Sequence, residues 1–155
     1  MTRIIENHIE QWVIESLQEN GYSFLTPEYL DPDNKEITLR ENYSDVLILS
    51  HLQEALVRIN PKLSASTIQQ AIRDVQQINT HGDLIACNQH FQILLTQGID
   101  TTFIENGEER TVKAWLVDKD NPSNNNWVVT HQLTVIENGQ NKRPDVIIYL
   151  NGIPV

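Results

Sequence analysis

Lys142–Val155 reads KRPDVIIYLNGIPV, and this stretch decides the fold. Two cations lead to a carboxylate, Asp145, at the head of the run Val146–Leu150, which is almost wholly apolar. Such a run belongs to a strand buried on both faces, in the middle of a sheet. Asn151-Gly152 supplies the positive backbone angles of a tight hairpin turn. A central strand needs a neighbour on each side, and on the C-terminal side only Gly152–Val155 is available. That segment is too short, so the sequence predicts a sheet element that is missing or supplied in trans.

Working back from this stretch, Trp127–Asn141 reads as further strand with a second turn signal at Asn138-Gly139. Asp100–Asp118 reads as a hairpin around Asn106-Gly107, and Asn121–Asn126 as a loop. Before Gly98 the apolar period changes from 2 to about 3.6. Thr2–Tyr22 predicts a helix with Ile5, Ile9, Trp12, Val13 and Leu17 on its buried stripe, Glu6, Glu10 and Glu19 off it, and a stop at Gly21. Ser23–Glu36 reads as a loop. Tyr43–Pro61 predicts a second helix, capped by Ser44 or Asp45, with Leu49, Leu52, Leu56 and Ile59 buried. Ser64–Ile78 predicts a third, with Ile68, Ile72, Val75 and Ile78 in register. His81–Gly98 predicts a fourth, with Asp83 near its start. Helices over 1–98 followed by strands over 99–155 make an α+β domain with helices packed on a mixed or antiparallel sheet.

The chain has 155 residues, enough for one domain with a real core. No apolar run approaches the roughly 20 residues of a membrane helix, and acids occupy the N-terminus where a signal peptide would be apolar. A cytoplasmic protein is expected. Eleven Lys and Arg against 21 Asp and Glu give a formal charge of −10, which argues against this chain alone gripping a phosphate backbone. The single cysteine, Cys87, excludes an internal disulfide and reads as a small core residue. The five histidines show no metal-ligand spacing, and no G-x-x-x-x-G-K-[ST] loop is present, so neither a zinc site nor an ATP site is expected in this chain. Trp12, Trp115 and Trp127 are too dispersed for a base-stacking platform and read as core.

Asp145 is the residue most suggestive of chemistry. A carboxylate at the mouth of a buried strand either opens the strand or binds a hard cation such as Mg²⁺, which takes oxygen ligands. Beside a phosphodiester, such a cation polarises the phosphoryl group and acidifies a bound water. One carboxylate is insufficient; a second, usually with a lysine, is needed on an adjacent strand. Lys142 and Arg143 are candidates for a phosphate contact or for turn residues that keep the hairpin soluble. Gln132, just before the core strand, reads equally as a sheet-edge amide.

Across essentially its whole length the chain resembles the N-terminal nuclease domain of the restriction (R) subunit of type I restriction–modification enzymes. The resemblance lies in the opening Ile4–Tyr22, in Asp118, Pro122 and Asn125 or Asn126, and most specifically in Gln132, Arg143-Pro144-Asp145 and Asn151-Gly152-Ile153-Pro154. It implies a PD-(D/E)xK nuclease core, truncated here before its Glu-x-Lys strand, with Asp145 as the catalytic, Mg²⁺-binding aspartate. It also makes Glu6 or Glu10 a further metal ligand, if these are not merely solvated helix charges, and Lys142, Arg143 and Gln132 DNA contacts. For the full-length subunit it implies cleavage of double-stranded DNA coupled to ATP-driven translocation by motor domains, in complex with modification and specificity subunits. The isolated chain is expected to be inactive, and a dimer through its C-terminal edge strand is expected. The alternative is a non-catalytic docking module with an incomplete nuclease sheet.

Overall fold

In the computed structural model the described residues are 6–78 and 83–155, the side chains of residues 6, 7 and 84 excepted. Ile5 and the His81-Gly82 turn lie outside them, as does the side chain of Glu6. The fold is α+β, with four α-helices among the described residues and both parallel and antiparallel strand pairs. The chain forms two compact units, 51–125 and 1–50 together with 126–155. The spatial division therefore cuts across the order of helices and strands along the sequence.

The 51–125 unit follows its local signals. It holds α2 (Leu49–Ile59) from His51 onward, α3 (Ala65–Gln77), α4 (Leu84–Gln97) and the antiparallel pair β2 (Ile99–Glu105) and β3 (Glu108–Ala114). Ser64 caps α3 by accepting from the Thr67 N–H, and Asp83 caps α4 by accepting from the Ala86 N–H. Ile68, Ile72, Val75 and Ile78 are buried at their helical spacing, and Cys87 is a buried core residue whose thiol donates to the Ile78 carbonyl at 3.3 Å. Asn106 and Gly107 turn β2 into β3 with φ of 54° and 82°, the expected hairpin geometry.

The other unit holds α1 (Glu6–Glu19), β1 (Ser23–Phe24), β4 (Trp127–His131), the pair β5 (Val135–Glu137) and β6 (Gln140–Lys142), β7 (Val146–Leu150) and β8 (Ile153–Pro154). Its sheet runs β1-β4-β7-β8, with β1 parallel to β4 and the other pairs antiparallel. Leu30, Ile48, Val128, Leu133 and Tyr149 form its core. β7 is internal, as its composition demands. The strand expected to be short on its far side is short: β8 pairs only Pro154 with Tyr149 and Ile153 with Leu150. Val146, Ile147 and Ile148 are half-buried. Leu150 is buried, with Ile153 paired beside it.

Five expectations are corrected. The second helix begins at Leu49 instead of Tyr43; Ile48 enters the sheet core instead and donates its N–H to the Gly152 carbonyl at 2.8 Å. Leu49, in the first turn, is consequently exposed, and Asp45 closes a turn by accepting from the Asn42 N–H. Ser23-Phe24, read as loop, is an edge strand that uses β4 as template. The strands after Gly98 form three sheets, because the β2–β3 and β5–β6 hairpins each pair only with themselves. On α1 the inward face is Glu10, Val13, Ile14 and Leu17, while Ile9 and Trp12 are 52% and 67% exposed. Trp115 is likewise exposed, and Trp127 is half-buried with its ring 5.5 Å from that of Tyr22.

Candidate functional site

β4 and β7 run antiparallel with His131 opposite Val146. The ladder extends one step further: the Gln132 N–H donates to the Asp145 carbonyl at 3.0 Å. Asp145 therefore sits at the mouth of the internal strand, with an exposed carboxylate. Pro144, just before it, fixes its own φ and offers no N–H, so the turn into β7 is held from the β4 side.

Gln132 is the centre of that hold. Its backbone lies in the left-handed region at φ 51°, a conformation a side-chain-bearing residue adopts at a cost of about 1–2 kcal/mol. Its Nε2 donates to Glu10 Oε2 at 3.1 Å, and its Oε1 accepts from Arg143 Nη2 at 2.8 Å. Arg143 Nε also donates to the Gln132 carbonyl, at 3.3 Å. Only one orientation of the amide satisfies both neighbours, since a carboxylate needs a donor and a guanidinium an acceptor. The Glu10 side chain is only 11% exposed. The expectation of a solvated helix charge is thereby corrected, because α1 turns Glu10 inward to meet β4.

His131 adds to this corner. Its Nδ1 lies 3.7 Å from Glu10 Oε2, and its ring stacks obliquely 5.7 Å from Phe24. Nearby, the Glu28 carboxyl is held below the usual carboxylate range. Its own backbone N–H and the Thr26 hydroxyl do most of this, with a smaller electrostatic pull from His131. His131 carries no sequence signal of membership in the site; its partner Glu10 is remote in the chain, and spacing rules see only neighbours.

Of the residues singled out from sequence, the structure brings Glu10, Gln132, Arg143 and the Asp145 backbone into one hydrogen-bonded chain. Lys142 stands apart from it, exposed on β6 opposite Val135. Among the described residues no group of three or more His, Cys, Asp or Glu is arranged to hold a metal ion. The fit to Mg²⁺ is thus partial: Asp145 and Glu10 supply oxygen donors of the right kind, and a complete set needs residues beyond these. No helix among the described residues is long and apolar enough to cross a membrane.

Residues 4–155 match the family model described as type I restriction enzyme R protein N terminus. The chain is 32% identical over 151 residues to the type I restriction enzyme HindI endonuclease subunit of Haemophilus influenzae, covering 97% of this chain and 14% of that protein. It is 31% identical over 150 residues to a Methanocaldococcus jannaschii protein named for the endonuclease subunit of type I restriction enzyme MjaIXP, again covering 95% and 14%. The chain thus spans about one-seventh of the length of these relatives. It belongs to the family of type I restriction enzyme R protein N-terminal regions.

Proposed function

We propose that this chain is the N-terminal part of the endonuclease domain of a type I restriction R subunit, and that Asp145 is the aspartate of its PD-(D/E)xK nuclease site. The observation that carries the reading is the placement of Asp145: an exposed carboxylate at the mouth of an internal strand whose turn is tied to two other elements. Asp145 and Glu10 would hold Mg²⁺. When bound, the ion would polarise the scissile phosphoryl group and lower the pKa of an attacking water. Lys142 would meet a neighbouring phosphate, as would the Arg143 donors not spent on Gln132.

The register of β8 supports the rest of the motif. Pro154 lies opposite Tyr149, and Asp145 lies four residues before Tyr149. A strand continuing β8 in the same register reaches the level of Asp145 about four residues after Pro154. A glutamate and a lysine two residues apart there would face the same side of the sheet as each other. In the full-length subunit, cleavage of double-stranded DNA would be coupled to ATP-driven translocation by motor domains, in complex with modification and specificity subunits. The formal charge of −10 suits a module that meets DNA only at its metal site while other domains hold the duplex.

The test is Asp145→Ala in the full-length subunit assembled with its partners. DNA cleavage should fall by at least about 100-fold, because a metal ligand matters no less than the groups that orient it, while ATP hydrolysis is retained. Undiminished cleavage refutes the assignment. The exposure of Ile9 and Trp12 on α1 favours a second reading, a docking module without catalysis. It predicts that Trp12→Ala disrupts assembly and that Asp145→Ala changes nothing.

A further inference from the structure

We propose that Gln132 is the positioning residue of this site: it fixes Asp145 by linking α1, the end of β4 and the Arg143–Asp145 turn, and Arg143 is its clamp. The proposal rests on the reading of Asp145 as a metal-binding carboxylate. Every hydrogen-bonding group of Gln132 is engaged. The backbone N–H goes to Asp145, the backbone carbonyl and Oε1 to Arg143, and Nε2 to Glu10. A strained left-handed backbone persists only where its surroundings over-determine it, and here four contacts do so at φ 51°.

The consequence is geometric. The Asp145 carboxylate is one short side chain away from a backbone that Gln132 holds directly. The same amide holds Glu10, the second oxygen donor of the proposed site. Gln132 therefore sets the separation of the two acids before any cation arrives, which lowers the reorganisation that binding requires. Arg143 cannot be replaced by lysine in this role. The guanidinium spans the carbonyl and Oε1 of one residue with two donors in a fixed fork, whereas an ammonium is a point charge.

The measurement is DNA cleavage by the full-length assembled subunit, at saturating DNA, as a function of Mg²⁺ concentration. Gln132→Ala, Arg143→Ala and Arg143→Lys should each raise the Mg²⁺ needed for half-maximal cleavage by about tenfold, as loss of a group that orients a ligand does. Mn²⁺ should restore the rate, and ATP hydrolysis should be unchanged. Lys142→Ala, which leaves the Gln132 contacts intact, should shift DNA affinity without shifting the Mg²⁺ requirement. A wild-type Mg²⁺ requirement in Arg143→Ala overturns the proposal. Arg143 is exposed, so this variant decides the matter even if Gln132→Ala fails to fold. If Asp145→Ala still cleaves, the functional reading itself fails, and that outcome is separate from any shift in the other variants.

Discussion

Asn60 and Arg40 are both buried polar residues in loops, one in each unit, and they are satisfied differently. Asn60 lies at the end of α2, 5% exposed. Its amide donates to the Leu56 and Trp115 carbonyls at 2.9 Å each, and its Oδ1 accepts from the Trp115 N–H at 2.8 Å. Arg40, 2% exposed, holds three chain segments by donating to the carbonyls of Leu30, Tyr43 and Thr134 at 2.8–3.2 Å. Its Nε is left without a partner, as are Thr130 Oγ1 and Tyr149 Oη. Among the described residues all of these unpartnered buried atoms fall in the sheet unit that carries the candidate site. The buried loop residue of the 51–125 unit is met by neutral hydrogen bonds, while that of the sheet unit is a buried cation surrounded by carbonyls. The difference teaches that the unit with the candidate site carries more unrelieved polar burial among the described residues, a cost of the kind that natural folds concentrate at functional places.

The largest effect that would break this comparison is at Arg40. Arg40→Ala leaves three carbonyls without their donor and opens a cavity, which should cost about 4 kcal/mol, each lost partner contributing part. Chemical denaturation of the variant checks it. A loss below about 1 kcal/mol would mean that burial of the guanidinium nearly cancels its bonds. Burial already lowers the Arg40 pKa, with Tyr149 and Asp45 opposing it.

The matching change in the other unit is smaller. Asn60→Ala removes three neutral hydrogen bonds and leaves the Trp115 N–H buried in part, for an expected loss of about 2–3 kcal/mol. If Asn60→Ala costs more than Arg40→Ala, the contrast between the units is reversed.

The same contrast explains what could be read in advance. In the 51–125 unit the decisive signals are local. Asp83 caps α4, Ile68 to Ile78 repeat at helical spacing, and Asn106-Gly107 makes a turn from two adjacent residues. In the sheet unit the deciding partners are far apart in sequence. β1 exists because Ser23 and Phe24 pair with Val128 and Val129. Ile48 stays out of the helix because Gly152 accepts its N–H. Glu10 turns inward because Gln132 receives it, and that rotation exposes Trp12. No window of neighbouring residues contains this information. Of the candidate site, the place of Asp145 at the head of β7 is legible because a charge before an all-apolar run is itself a local pattern. Gln132, Arg143 and Glu10 could be named as candidates, but their union into one chain of bonds could not.

The smallest expected effect sharpens the comparison most. Tyr149 is fully buried on β7 with its hydroxyl unpartnered, and burial pushes its pKa up to about 12, with Arg40 pulling the other way. In the unfolded chain a tyrosine titrates near 10. Between pH 10 and 12 the unfolded chain therefore releases a proton that the folded protein keeps. The contribution of Tyr149 to stability is fully present below about pH 10 and is lost as pH rises through 12. Tyr149→Phe removes the buried hydroxyl together with this titration. At neutral pH it should be more stable by about 1 kcal/mol, since an unmet polar group no longer has to leave water. Its alkaline limb should be shallower, although not abolished: the Tyr43 hydroxyl donates to Asp31 and Asp33, and its pKa is also raised to about 12. Urea titrations of both proteins at pH 7 and pH 11 make the measurement. A Tyr149→Phe variant that is less stable at pH 7 would mean that the hydroxyl has a bridging partner; Arg40, which already acts on Tyr149 electrostatically, has its Nε in need of one. Thr130 Oγ1 would then be the one unpartnered buried side-chain atom among the described residues of the sheet unit, and the distinction between the units would narrow to it.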